Sequence, residues 1–311
     1  MAAETQSAVV AAIVANALIA VSKLVAAAVS GSAAMLSESI HSIVDTGNDV
    51  LMLYGLKRSR APPNEQHPFG HGHELYFWTL IVGMLIFGVG GGMSIGTGYI
   101  HIVHNTAPEH TFWNYVVIGT AAVFEGWSWL YGLRAFRTEM RGRGIVETIR
   151  ISKNPTTFSV LLEDTAALIG LFLAFVGIFL SSKLNAPWID GAASILIGVL
   201  LCFIALIMVY ESKGLLVGEG VEKQTLKVLR EIIVPDPAVE RVERLLTMYL
   251  GPDEVMLVIE LRFREQVDAL EIRSAIARIK QTIRDCYPRI QHIFFDGLAT
   301  EALAVSKNQN A

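Results

Sequence analysis

The stretch SESIHSIVDTGND, residues 37–49, places polar side chains inside an otherwise apolar run of the chain. Four of these side chains can ionise, namely Glu38, His41, Asp45 and Asp49. A charged side chain at the centre of a bilayer costs about 2.5–3.5 kcal/mol on insertion scales, so such residues are typically functional or paired. The stretch therefore predicts either a buried polar site or hydrogen bonds between membrane helices.

The composition favours a membrane domain followed by a soluble one. Of the 311 residues, 52% are hydrophobic and 17% are charged, whereas soluble domains carry about 25% charged residues. The charged residues concentrate in the last hundred positions and in two short earlier loops. We expect a transmembrane domain over residues 1–211 and a cytoplasmic domain over 212–311, with a disordered end from about residue 300.

Two further features of the composition exclude some classes of protein. The only two cysteines, Cys202 and Cys286, lie far apart, which argues against a disulfide framework and against a cysteine-rich zinc site. The net charge of −4 indicates no particular partner, and we expect no nucleic acid to bind. The chain begins MAAETQ, without the basic region of a signal peptide or the arginines of a transit peptide, which favours a bacterial membrane.

Spans and their orientation follow from apolar length and from the positions of basic residues. A spanning helix needs about 20 mostly apolar residues. Six segments qualify approximately: 8–29, 34–56, 75–101, 112–135, 156–180 and 188–210. Lysine and arginine cluster in loops 57–73 and 134–155, whereas the alternate loops contribute only Lys183. By the positive-inside rule, both termini lie in the cytoplasm, or in the matrix of a mitochondrion.

The third segment carries Gly88, Gly92 and Gly96 at four-residue spacing. Small residues on one face of a membrane helix let two backbones approach closely. We expect this face to pack against a neighbouring helix of the same chain, with a dimer contact as the alternative.

The tail alternates between helical and strand-like patterns. EKQTLKVLREII has helical periodicity, and the β-prone runs RVERLLTMYL and EVMLVIELRF flank a turn at residues 251–253. Asp268 and Glu271 resemble a capping box that opens a second helix, and RIQHIFF closes the domain as a strand. The order α-β-β-α-β predicts a small α+β sandwich with helices on one face of the sheet. We find no catalytic motif in it and expect regulation or dimerisation.

His41 and Asp45 lie one helical turn apart on the same face, so an imidazole nitrogen and a carboxylate oxygen can reach one ion. Glu38 and Asn48 extend roughly the same face. A second polar island in the fifth segment contains Glu163 and Asp164. Nitrogen and oxygen ligands suit zinc, and more oxygen-rich sets suit manganese or iron. The clusters therefore favour a site for a divalent metal ion.

Other interpretations of the buried acids stay open. Glu125, Asp49 and Asp190 could equally serve to hydrogen-bond helices together. A proton relay would also use acids and histidine, although it would not require so tight a cluster. An intramembrane metalloenzyme would need an open metal position and a general base, and no His-Glu-x-x-His motif occurs. We therefore expect that the chain is not an enzyme.

At these residues the chain resembles the cation diffusion facilitators, the zinc-transporter family. Three stretches carry the resemblance: SGSAAMLSESIHSIVDTGNDVLMLYGLKRS (30–59), HPFGHGHE (67–74) and WIDGAASILIGVLL (188–201). They look like the second helix of the family, the motif that opens its third helix, and its sixth helix. The resemblance implies a homodimeric exporter of divalent metal, coupled to protons, working by alternating access and without a permanently bound cofactor.

The family pattern also assigns ligand positions, and this chain departs from it at one of them. His41, Asp45 and Asp164 match metal-ligand positions, but Val160 stands where the fifth helix of the family usually supplies a fourth ligand. The signature LLEDTAA resembles the branch that includes the animal mitochondrial zinc transporter, where the same gap is expected. Glu163 and Asn48 are our candidates to complete the site.

A second, weaker metal candidate lies in the loop between the second and third segments. His67 and His71 match histidines of a small loop site in the family, with Glu65 or Asn64 where an acid is usual. A surface histidine cluster can equally bind nothing specific.

These observations predict a multi-pass transporter in a bacterial inner membrane that exports a divalent cation, zinc by preference, in exchange for protons. One alternative is a transporter of the same family that prefers manganese, iron or cobalt, because the site lacks one nitrogen ligand. The other is a membrane sensor or scaffold that does not transport, since the valine at position 160 is compatible with a decayed site.

Overall fold

The computed structural model describes residues 2–104, 111–140 and 155–297. The described parts of the chain form two compact units. The first comes from Met1–Arg58 and Glu74–Lys213, and the second from Ser59–His73 and Gly214–Ala311. The predicted disordered end from about residue 300 lies outside the described residues.

The first unit consists of long helices that pack around an apolar core. Their bounds are α1 Ala2–Ser30, α2 Ala33–Ser59, α3 His73–Leu85, a π-helical segment Ile86–Gly92, α4 Met93–His104, α5 Thr111–Met140, α6 Pro155–Leu184 and α7 Trp188–Val217. Gly31, at a φ of 64°, lies in the short turn between α1 and α2; glycine adopts this left-handed conformation without steric cost. Helix α5 packs against α1 and α6.

Among the described residues, four helices are long and apolar enough to cross a membrane: His73–His104, Phe112–Arg134, Phe158–Leu184 and Trp188–Val217. They correspond to the last four of the six predicted spans. Within the described residues, the apolar part of α1, Asn16–Ser30, is shorter than these four helices. Helix α2 does not qualify, because it carries the acidic residues of the 37–49 stretch along its length.

The third and last spans approach each other through glycines, but not through the three that the sequence indicates. Added Cβ atoms at Gly91 and Gly98 would collide with α7, at Cys202 and at the backbone of Gly191 respectively. By contrast, an added Cβ at Gly88 or Gly96 has no described neighbour within 4 Å, and an added Cβ at Gly92 meets only its own helix. Gly91 and Gly98 are seven residues apart, close to two helical turns, so they share a face of the span.

The second unit has the predicted order α-β-β-α-β. Its elements are α8 Lys223–Ile233, β1 Val239–Gly251, β2 Glu254–Phe263, α9 Ala269–Cys286 and β3 Ile290–Gly297. The strand order is β1-β2-β3, with β1 antiparallel and β3 parallel to β2. Alternate residues of β2 are buried from Val255 to Leu261, as expected for a strand with one face on a core. The Asp268 side chain accepts a hydrogen bond from the Glu271 N–H at 2.7 Å, which confirms the cap.

An ion pair joins α9 to the segment that precedes β1. Asp236 accepts hydrogen bonds from Arg278, Nε to Oδ2 at 3.1 Å and Nη2 to Oδ1 at 3.0 Å. A third comes from the Ala238 N–H at 3.1 Å. Partial burial of the Asp236 carboxyl raises its pKa, but these donors outweigh burial and lower the pKa below its ordinary value. The pair therefore stabilises the folded unit only while Asp236 is ionised.

We expect Asp236→Asn to lower the stability of this unit at neutral pH. Because the folded-state pKa lies below that of the unfolded chain, about 3.9, the stabilisation is present above that value and lost as the pH falls through the folded-state pKa. The difference between wild type and variant should therefore shrink below about pH 4. Urea unfolding, followed through a fluorophore attached to the exposed Cys286, measures this difference in the free energy of unfolding. A difference that stays constant with pH would contradict the assignment.

Candidate metal centre

Helix α2 brings His41 and Asp45 together, as their spacing predicts. Nε2 of His41 lies 3.3 Å from Oδ2 of Asp45, and the imidazole is 2% exposed. Neither ring nitrogen makes a well-formed hydrogen bond with any described residue, and Oδ1 of Asp45 is likewise buried without such a bond. Buried polar atoms are normally satisfied, so each exception needs an explanation. Coordination of a cation is one that fits both residue types.

Helix α6 contributes the second acidic island. Oδ2 of Asp164 accepts a hydrogen bond from Ser128 Oγ at 2.9 Å, which holds the carboxylate against α5. Glu163 is 9% exposed, and its Oε1 is buried without a hydrogen-bond partner among the described residues. Both acids therefore present oxygen atoms to the space between α1, α2, α5 and α6.

That space is a cavity of about 190 Å³. It is lined by Asn16, Ile19, Ser42, Asp45, Asp49, Glu125, Ser128, Val160, Glu163, Asp164 and Ala167. The cavity thus brings Asp45, Glu163 and Asp164 to one place, and Val160 lies in its wall. His41 contacts the site through Asp45 without lining the cavity itself.

Asn48, a predicted candidate, is not among the residues that line the cavity. It is 1% exposed, and both atoms of its amide group lack hydrogen-bond partners among the described residues. Its role as a ligand stays a prediction.

Asp45, Glu163 and Asp164 share the cavity, but the predicted ligands do not form one coordination sphere among the described residues. Within residues 2–104, 111–140 and 155–297, no three histidine, cysteine, aspartate or glutamate side chains lie close enough to hold one ion.

Lys23 of α1 is a buried charged residue beside the site that the sequence motifs did not indicate. Its fully buried ammonium donates to Glu38 Oε2 at 3.0 Å, to Ser42 Oγ at 2.9 Å and to Glu125 Oε1 at 2.7 Å. The three contacts tie together α1, α2 and α5. A single lysine within the apolar run AVSKLVAAAV is itself a signal, because a charged residue inside a membrane segment is expected to be paired.

The remaining buried acids differ in their surroundings. Asp190 accepts hydrogen bonds from Ser32 Oγ at 2.8 Å and from the N–H of Ala33, at the first turn of α2. This arrangement favours a structural role for it, since a carboxylate satisfies free N–H groups at a helix N-terminus. Asp49 accepts from Asn16 Nδ2 at 3.0 Å. Glu125 binds Lys23 and also lines the cavity.

The predicted loop site belongs to the second unit. The rings of His67 and His71 lie 4.4 Å apart, centroid to centroid. His71 is buried, with Nδ1 3.3 Å from the carbonyl oxygen of Ala61, whereas Glu65 is exposed. The Asn64 side chain caps the turn by accepting from the His67 N–H at 2.7 Å. Metal binding by His67, His71 and Glu65 stays a prediction.

Comparison with known proteins gives a consistent result. Residues 9–217 match the family described as the cation efflux transmembrane domain. The chain is 32% identical over 248 residues to the proton-coupled zinc antiporter SLC30A9, mitochondrial, of Xenopus laevis, covering 79% of this chain and 43% of that protein. The human protein of the same name is 31% identical over 240 residues, covering 76% and 41%. Metal tolerance protein C4 of Arabidopsis thaliana is 28% identical over 240 residues, covering 76% and 52%.

The chain spans about half, or less, of the length of these relatives. The family match itself covers more than half of this chain and includes both polar islands. It confirms the predicted resemblance, and it confirms that the chain is not an enzyme, because the members are transporters. The chain therefore belongs to the cation efflux family, also called cation diffusion facilitators, of multi-pass membrane proteins that transport metal ions.

Proposed function

We propose that this protein exports divalent metal ions, zinc by preference, in exchange for protons. The observation that carries the proposal is the cavity in which Asp45 of α2 meets Glu163 and Asp164 of α6, with His41 in contact with Asp45. Carboxylate oxygens and an imidazole nitrogen from two membrane helices suit a doubly charged cation. Two relatives are named as proton-coupled zinc antiporters, which supports the same substrates here.

The membrane arrangement that we propose has six spans, with α1 and α2 as the first two. The polar face of α2 can lie at membrane depth because it faces the cavity and the buried Lys23 rather than lipid. The basic residues of loops 57–73 and 134–155 support an orientation with both termini in the cytoplasm. Residues 1–211 then form the transport domain and 212–311 a cytoplasmic domain, and the active protein is a homodimer in the inner membrane.

The mechanism follows from competition between protons and metal for the same atoms. Metal ligands must be deprotonated, so metal binding releases protons and protonation expels metal. In the inward-facing state, His41 and the acids of the cavity would take metal from the cytoplasm. After the helices rock, protons from outside would displace the ion and return inward on the same side chains. The proton gradient thereby drives export.

A second candidate is transport of manganese, iron or cobalt by the same route. It is favoured by the wall of the cavity, where Val160 replaces a ligand and the ionisable side chains all offer oxygen. Oxygen-rich sites are less selective for zinc, although the Irving–Williams order still favours zinc where it is available. A protein that senses metal without transporting it is the remaining alternative.

The test is uptake of metal into proteoliposomes that contain the purified chain, with zinc, manganese, iron and cobalt compared under an imposed pH gradient. We expect zinc uptake that increases when the lumen is made acidic and that alkalinises the lumen in step with metal flux, because each ion that enters is exchanged for protons that leave. Uptake that ignores the gradient would exclude proton coupling. Absence of flux for all four metals, in liposomes where the protein remains folded, would favour the sensor alternative.

A further inference from the structure

We propose that Glu125 of α5 is a further ligand of the transported ion, held in position by Lys23. The inference rests on the proposed function, since it concerns the same cavity. The fourth span, α5, then supplies an oxygen ligand in place of the one that Val160 of the fifth span, α6, cannot supply.

The two carboxylate oxygens of Glu125 have different surroundings. Oε1 accepts the hydrogen bond from Lys23 Nζ at 2.7 Å. Oε2 is buried and has no hydrogen-bond partner among the described residues. The side chain is 13% exposed and lines the same cavity as Asp45, Glu163 and Asp164. One oxygen is thus used to orient the carboxylate, and the other is left for a ligand in the cavity.

Lys23 is suited to this positioning role because its hydrogen bonds are all used. An ammonium has three donors, and they go to Glu38, Ser42 and Glu125. The lysine therefore has no donor left for an acid on the far side of the cavity. Its charge also offsets part of the negative charge around it, which keeps the site from holding a cation too tightly to release it.

Glu38, the other acidic partner of Lys23, does not share this geometry. It is absent from the cavity wall, and its Oε1 lies against Gly170 of α6, where an added Cβ would collide with it. Glu38 and Glu125 thus play equal parts in the ion pair, but only Glu125 faces the cavity. This difference separates a ligand from a residue that merely neutralises the lysine.

The charges in the cavity point to a cation beside Glu125. Asp45, Glu163 and Asp164 line the same 190 Å³ space, and Glu163 Oε1 also lacks a partner. Several carboxylates facing one small cavity repel each other unless a cation lies between them or protons neutralise them, and these are the two states that exchange of metal for protons requires. Asp49 differs, because it has no oxygen that is both buried and without a hydrogen-bond partner among the described residues.

The experiment compares Glu125→Gln with Glu38→Gln in the purified full-length chain. Each substitution keeps the side-chain shape and leaves Lys23 with one carboxylate, so the two variants perturb the ion pair alike. Zinc affinity is measured by isothermal titration calorimetry, and the ligand field by the visible absorption of bound Co²⁺. We expect Glu125→Gln to weaken zinc binding at least about tenfold more than Glu38→Gln, about 1.4 kcal/mol, and to change the Co²⁺ spectrum where Glu38→Gln does not.

Equal losses of affinity and identical Co²⁺ spectra in the two variants would overturn the inference. If Glu125→Gln does not purify as a folded protein, Glu125→Asp replaces it. That variant keeps the charge but withdraws the oxygen by one methylene, so wild-type affinity and spectrum would overturn the inference equally. Wild-type protein that binds none of the tested metals would refute the proposed function instead, so the two failures can be told apart.

Discussion

Replacing Asp45 with asparagine should reduce zinc transport by more than about 100-fold, because even the loss of an outer-shell partner of a metal ligand costs about 10–100-fold. Asp45 is the residue that joins the two halves of the site. It contacts His41 at 3.3 Å, and it lines the cavity together with Glu163 and Asp164. Asparagine keeps the shape of the side chain but cannot carry its negative charge. Initial rates of zinc uptake into proteoliposomes measure the effect.

Asp49→Asn is the matched control for this prediction. Asp49 lies one turn further along α2 and lines the same cavity, so its substitution removes the same charge from the same helix. Unlike Asp45, Asp49 has no oxygen that is both buried and without a hydrogen-bond partner among the described residues, so we expect a much smaller loss of transport. Equal losses in both variants would show that the total charge of the cavity matters rather than coordination by Asp45. Retained transport in Asp45→Asn would refute the proposed site.

Gly98→Val should destabilise the membrane unit strongly, by about 1–3 kcal/mol or more, as expected for overpacking of a tight contact. A Cβ at position 98 would collide with the carbonyl oxygen of Gly191, and backbone atoms cannot yield as a flexible side chain can. To relieve this collision, the third and last spans would have to move apart, which would also open the contact between Gly91 and Gly198. Thermal unfolding of the detergent-solubilised protein measures the loss.

Gly96→Val provides the control, because a Cβ at that position has no neighbour within 4 Å in the part of the chain that the structure describes. Both substitutions replace glycine with the same residue in the same helix, so effects on helix propensity should be similar. We therefore expect the Gly96 variant to melt close to wild type. If the Gly96 variant is the less stable of the two, the interface lies on the other face of the helix, where the four-residue spacing of the glycines places it.

Features with a local physical cause were predictable from the sequence. The αββαβ order follows from the alternation of apolar residues in the strands and from the cap at Asp268, each of which depends on neighbours within a few positions. The contact between His41 and Asp45 follows from helical periodicity in the same way. The resemblance to the cation efflux family rests on similar short stretches, and the family match confirms it.

Features that depend on partners distant in the chain were not predictable. The contacts of Lys23 with Glu38 and Glu125 join residues 15 and 102 positions apart. The face of the third span that packs on α7 could not be assigned either, because its glycines recur at both four- and seven-residue spacings and only the packing selects Gly91 and Gly98.

By itself, the sequence determined that this is a membrane protein with a polar second helix and a small α+β tail, because apolar length, helical spacing and strand alternation are local properties. Only the tertiary structure decided which polar groups share a cavity and which neutralise one another. Four helices contribute to that cavity, and the pairing of a buried charge depends on which helix packs beside it.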